Sequence, residues 1–129
     1  MAKSAKALFG TSTTYAIADD SSDVEGATIR NDYPPSAQNV ASAFIHNNGA
    51  GDNILITVKF QLYSGVDWGA KHTCEDSNGD AITFYADSEE TIEVNLYSQP
   101  EWKLADAWRI LLSRAGSTAL NGKATAVII

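Results

Sequence analysis

NILITVKFQLY, residues 53–63, sets Ile54, Ile56, Val58, Phe60 and Leu62 on one side of an extended chain. Leu55, Thr57, Lys59, Gln61 and Tyr63 fall on the other side. Successive side chains of a strand point to opposite faces, so a period of two held over the whole stretch describes a strand with one face buried. On a helix the same five apolar residues would be scattered around the axis. The stretch therefore commits the fold to β-structure. TIEVNLY, residues 91–97, repeats the pattern, with Ile92, Val94 and Leu96 inward and Thr91, Glu93 and Asn95 outward. Shorter runs of the same kind occupy residues 13–18, 27–30, 43–46, 71–75, 82–86 and 123–129.

Turn residues separate these runs. Asp32-Tyr33-Pro34-Pro35 stops any regular element, because neither proline donates to a ladder. His46-Asn47-Asn48-Gly49-Ala50-Gly51-Asp52 has the composition of a loop. Asn121-Gly122 is a hairpin-turn dipeptide, and an alternating run follows it. Many short strands with turn signals between them predict an all-β, antiparallel β-sandwich, jelly-roll-like, of about eight strands. It is expected as one domain over residues 11–129, preceded by an N-terminal arm over residues 1–10.

Residues 98–115 support two readings. Ser98 and Glu101 have capping-box spacing, and Leu104, Ala107, Trp108, Leu111, Leu112 and Ala115 share a helical face. Trp108, Ile110 and Leu112 also alternate with Arg109, Leu111 and Ser113, and the C-terminal strand needs a neighbour. We expect a short helix near residues 99–106 followed by a strand; a full helix over 99–115 is the competing outcome.

The chain has 129 residues and 13.8 kDa, enough for one self-sufficient core. Nine Lys and Arg against sixteen Asp and Glu give a net charge of −7, which repels phosphate and argues against a nucleic-acid partner. A single cysteine, Cys74, leaves no internal disulfide. The opening MAKSAKALFG lacks the apolar core of a secretory signal, and no run has the roughly 18 apolar residues of a membrane span. The reading is a protein with neither a membrane nor a nucleic-acid partner.

EDSNGDA, residues 75–81, is the one stretch with the look of a metal loop. Asp76, Asn78 and Asp80 occupy positions 1, 3 and 5 of a calcium loop, but Ala81 stands where glycine is needed and Asp87 where a bidentate glutamate is needed. The alternating run from Ile82 also carries the chain away from an ion. Asn78-Gly79 is expected instead as the centre of a two-residue hairpin turn. His46 and His72 lack zinc spacing, and His72 with Cys74 makes only a pair. No nucleophile elbow or phosphate-cradling glycine loop is present, and the acidic groups Asp19-Asp20, Asp23 with Glu25, and Glu89-Glu90 read as solvated turns. The expectation is a protein with no catalytic residues, no metal and no cofactor.

Two tryptophans, Trp68 in Ser64–Gly69 and Trp102 after Pro100, fall in connections. An exposed ring there would serve a partner such as a sugar; a ring folded back over the sandwich would serve the core. Lys3, Lys6, Leu8 and Phe9 give the N-terminal arm two cations and two apolar anchors, the make-up of a segment that binds a partner surface.

A basic arm at Met1–Gly10, an alternating body, and the closing pair DAWRILLSRAG and LNGKATAVII resemble the small virion proteins of tailed bacteriophages, notably the capsid decoration proteins. The resemblance implies a non-catalytic structural virion protein that binds the phage's major capsid protein and stabilises the shell. It further implies a homotrimer on the capsid surface, synthesised in the host cytoplasm. Lys3, Lys6, Leu8, Phe9, Trp68 and Trp102 are the partner-binding candidates. A carbohydrate- or receptor-binding module, or another coat or tail subunit, is the alternative.

Overall fold

The computed structural model describes residues 4–7, 14–17, 23–25, 29–30, 41–49, 51–95, 107–114 and 118–128. Eleven strands run through them: β1 (Ser4–Ala7), β2 (Thr14–Ile17), β3 (Asp23–Glu25), β4 (Ile29–Arg30), β5 (Ala41–Asn48), β6 (Leu55–Tyr63), β7 (His72–Thr73), β8 (Thr83–Tyr85), β9 (Glu89–Asn95), β10 (Ala107–Arg114) and β11 (Leu120–Ile128). All pairings are antiparallel.

The strands form two sheets. In the first, β1 and β2 lie end to end along one edge of β11, followed by β5 and β9. In the second, β3 and β4 lie end to end along β10, followed by β6, whose far edge carries β7 and then β8. Counting each end-to-end pair as one position leaves two sheets of four among the described residues, and successive positions switch sheets except from β6 to its neighbour β7–β8, in the manner of a jelly roll. The expected all-β sandwich is what forms.

The alternation read from residues 53–63 explains the core. Ile56, Val58 and Phe60 of β6, Trp108, Ile110 and Leu112 of β10, and Ala43, Ile45, Val94 and Ala124 from the first sheet meet between the layers. Leu62 and Ile54 are half-buried at its margin. Residues 107–114 are strand, paired with β6 from Ala107↔Tyr63 to Arg114↔Ile56, so the sheet partner overrides the helical periodicity of that segment. The short helix expected near residues 99–106 lies outside the described residues, as does Asp32–Pro35.

Three local expectations need correction. First, Asn121 and Gly122 do not form a turn: both lie inside β11, opposite β2 on one side, and Gly122 also pairs with Asn47 of β5. Glycine is needed there because a Cβ would collide with the His46 carbonyl. Second, His46, Asn47 and Asn48 belong to β5 rather than to a loop. Asn47 points inward, and its Nδ2 donates to the carbonyls of Ala86 (2.9 Å) and Ser88 (2.7 Å), tying the β8–β9 turn to the sheet.

Third, the hairpin at 75–81 is not a two-residue turn. Gly79 N–H donates to the Asp76 carbonyl (3.0 Å), so Ser77 and Asn78 are the central residues. Gly79 follows at φ 83°, the left-handed residue of a turn closed by a bulge. Asp76 Oδ1 accepts from the N–H groups of Asn78 (2.9 Å) and Asp80 (3.0 Å), so the carboxylate read as a metal ligand organises its own turn.

The hairpin has an unusual base. Cys74 N–H donates to the Val58 carbonyl (2.9 Å), Val58 N–H donates to Ile82 (3.0 Å), and Ile82 N–H donates to Cys74 (2.9 Å). Cys74 and Ile82 thus share one partner residue, and everything between them is an excursion from a single edge strand made of β7 and β8. Asp23 and Glu25 are also strand, in β3, where Ser113↔Asp23 and Leu111↔Glu25 are paired, rather than a turn.

Candidate interaction surface

The outward residues of the second sheet form a cross-strand network. The register sets Gln61 beside Arg109 and Tyr63 beside Ala107. Arg109 donates from Nε (3.0 Å) and Nη2 (2.8 Å) to Gln61 Oε1, and Gln61 Nε2 donates to the Gly69 carbonyl (2.9 Å). Both ends of a buried amide are thereby satisfied.

Trp68 completes this network. Ser64 N–H donates to the Asp67 carbonyl (3.0 Å), and Ser64 Oγ accepts from the Asp67 N–H (3.1 Å), closing a tight loop after β6. The chain returns through a Tyr63↔Trp68 bridge and a Gly69 N–H to Leu62 carbonyl bond of 2.8 Å. The half-buried Trp68 ring lies 5.1 Å from the Tyr63 ring, with the Arg109 guanidinium 4.0 Å over its face. The ring thus covers its own sheet, and the loop's projecting apolar group is Val66, 80% exposed.

The other partner-binding candidates are placed less fully. Lys3, Leu8, Phe9 and Trp102 lie outside the described residues. Lys6 is in β1, opposite Ala126 of β11, so part of the segment read as an arm is a sheet strand. His72 and Cys74 are separated by environment: His72 is exposed with its ring 5.2 Å from Phe60, whereas Cys74 is in the core. Among the described residues no cluster of His, Cys, Asp and Glu has the arrangement to hold a metal ion.

Alternation did not mark the second surface feature. The excursion faces β9 across a cleft of about 240 Å³, with Glu75, Asp76, Ser77 and Ile82 on one wall and Glu93 and Asn95 on the other. Glu89, Glu90 and Glu93 are exposed along β9. The signal for this feature was the pairing of an acidic turn with an acidic strand, but their adjacency depends on the topology.

Two buried acids give the fold a pH limit. Burial pushes the Cys74 thiol and the Tyr15 phenol up to about 12 each. Ordinary values are about 8.5 for cysteine and 10 for tyrosine, so both shifts favour the neutral form in the folded chain. Below the cysteine value both groups are protonated whether the chain is folded or not, and stability does not depend on them. Between there and about 12 the unfolded chain releases protons that the folded chain retains, so stability falls as pH rises. Urea midpoints measured from neutral to strongly alkaline pH should decline through this window, and Cys74→Ala should remove the earlier part of the decline. A Cys74→Ala profile parallel to that of the parent would contradict the assignment.

No protein-family model matches the chain, and a comparison with curated proteins finds no match. Among solved structures, a chain in the structure of infectious bursal disease virus Gx strain is similar in fold, with a TM-score of 0.57 and 8% sequence identity. The similarity covers 99% of this chain and 33% of the viral one, so this chain spans about a third of that protein's length. At that identity the likeness concerns the fold alone.

Proposed function

We propose that this chain is a non-catalytic structural component of a virion. The observation that carries the reading is the winding of two four-position sheets as a jelly roll, a fold used by viral capsid domains, together with its likeness over nearly the whole chain to a viral protein. Fold does not dictate function, so the role needs its own support. Support comes from construction: among the described residues, the turn carboxylate, the thiol and the outer-face cation singled out above are engaged within the fold. Asp76 organises its turn, Cys74 fills the core, and Arg109 and Gln61 bind one another.

In its finer form the reading is a bacteriophage capsid decoration protein, a homotrimer bound to the major capsid protein on the outside of the shell. Such a protein stabilises a capsid by binding only the assembled state. Its acidic surface keeps free copies soluble.

Purified particles and cell lysate compared by quantitative mass spectrometry should find the protein in fixed ratio to the major capsid protein. Added back to stripped particles, it should co-sediment and raise their melting temperature. Presence in the lysate alone would end the virion reading, while presence inside particles without release by mild stripping would favour a coat or tail subunit. Because residues 1–10 include β1, Lys3→Ser and Phe9→Ser test the arm contact better than deletion of the segment.

Jelly rolls also carry lectins, and Trp68 is the residue on which a carbohydrate-binding alternative depends. With Arg109 over one face of its ring, Trp68 is a cation-capped wall rather than an open stacking platform. A glycan array separates the two readings.

A further inference from the structure

Among the described residues, three of the four sheet edges are each made by two short strands rather than one: β1 and β2 along β11, β3 and β4 along β10, and β7 and β8, with the excursion between them, along β6. An interrupted or bulged edge is a poor template for a further strand. β9 is different. It pairs with β5 without a break from Asn48↔Glu89 to Ser42↔Asn95, and among the described residues no strand pairs with its other side. In an antiparallel pair every second residue of an edge strand turns its N–H and C=O away from its neighbour. Beyond that side lies the cleft bounded by the excursion.

We propose that the β9 edge accepts an extended segment of a partner protein as an additional strand, one that alternates cationic with β-branched apolar residues. The parity of β9 sets this pattern. Glu89 and Glu93 are exposed on the outer face of the first sheet, while Ile92 and Val94 point to the inner side. An added strand extends both faces at once: cations at alternate positions lie beside Glu89 and Glu93, and apolar side chains between them lie near Ile92 and Ile82, both half-buried. The ladder supplies affinity and the alternate side chains supply selectivity.

Charge decides against a second copy as the occupant. Its β9 edge would bring another Glu89, Glu90 and Glu93 against this one, in a chain whose net charge is −7. Like charges placed opposite each other across a strand pair are destabilising. The same carboxylates attract a cationic strand and speed its approach.

The test uses the intact chain and two synthetic probes, an alternating lysine–valine octapeptide and the same octapeptide N-methylated at alternate residues. Methylation keeps the charge and removes the ladder donors. The unmodified peptide should bind, slow amide exchange in β9 and shift the resonances of Glu89–Asn95, while the methylated peptide should not. Exchanging both glutamates in E89K/E93K, with an unchanged urea midpoint as the control for folding, should weaken binding about tenfold by turning attractive pairs into repulsive ones. Equal binding of the methylated peptide, protection elsewhere on the protein, or binding of neither peptide each overturns the proposal. The experiment reads only the isolated protein, so its failure leaves the particle-composition test of the virion reading intact.

Discussion

Trp108→Ala should remove about 3–5 kcal/mol from the free energy of unfolding, the usual cost of truncating a large buried aromatic residue. Trp108 is fully buried and lies between Ile29 of β4 and Leu62 of β6 in the ladder. Its neighbours Ile110 and Leu112 are equally buried, so the layer between the sheets cannot close over the lost ring without moving β10. Domains of this kind are stable by only about 5–15 kcal/mol, so the variant should lose a large part of its margin and give little soluble protein at elevated temperature. Urea unfolding measures the loss directly. Trp68→Ala is the comparison, because the Trp68 ring is half-buried on the outside of the same sheet and its loop can reclose. Trp68→Ala should therefore cost distinctly less. If the two losses are equal, the assignment of one tryptophan to the core and the other to the outer face is wrong.

The difference between these tryptophans shows what a period of two encodes. Trp108 alternates with residues that face outward, and its parity matched the core side of β10 once the segment was taken as strand. The strands with strong alternation, β6 and β9, were visible within about two residues of their ends, which is the usual uncertainty of such boundaries. Trp68 has no periodic context, and its environment comes from Arg109 and Tyr63, which reach it through register rather than sequence proximity. β1 and β3 were missed for a related reason. SAKA and DVE are too short and too polar to show an apolar face, and their strand state depends on β11 and β10 offering an edge.

The surface is legible in composition but not in placement. Residues 75–81 announced a turn and residues 91–97 a strand with Glu93 outward, while Glu89-Glu90, read as a turn, proved to be part of β9; nothing local says that turn and strand flank one cleft. That adjacency comes from the return of β7 and β8 to the same edge of β6, which leaves the excursion facing β9. A sheet edge is a property of topology, since it exists only where no strand of the fold arrives. The partner proposed for β9 therefore follows from strand order first and from charge second.

Gly122→Ala should be nearly as damaging as the loss of Trp108, for the opposite reason: an added methyl group rather than a missing ring. Gly122 lies inside β11 between Tyr15 of β2 and Asn47 of β5. A Cβ there would overlap the His46 carbonyl oxygen, lie 2.9 Å from its carbon and come within 3.1 Å of the Tyr15 hydroxyl. The first two obstacles are backbone, and the β5–β11 ladder holds them from Gly122↔Asn47 to Ile128↔Ala41. No rotamer change relieves the overlap, so the strands must separate locally, and Asn47, which fixes the β8–β9 turn, moves with them. Overpacking a core commonly costs about 1–3 kcal/mol, and a rigid backbone obstacle places this variant at or above about 3. Gly79→Ala makes the control. Nothing lies within 4 Å of a Cβ at Gly79, and its φ of 83° alone disfavours a side chain, for a cost of about 1–2 kcal/mol. Thermal melting of both variants should therefore rank Gly122→Ala well below Gly79→Ala. The reverse order would mean that β11 is free to shift against β5, and that Asn121-Gly122 acts as the flexible turn its sequence suggests.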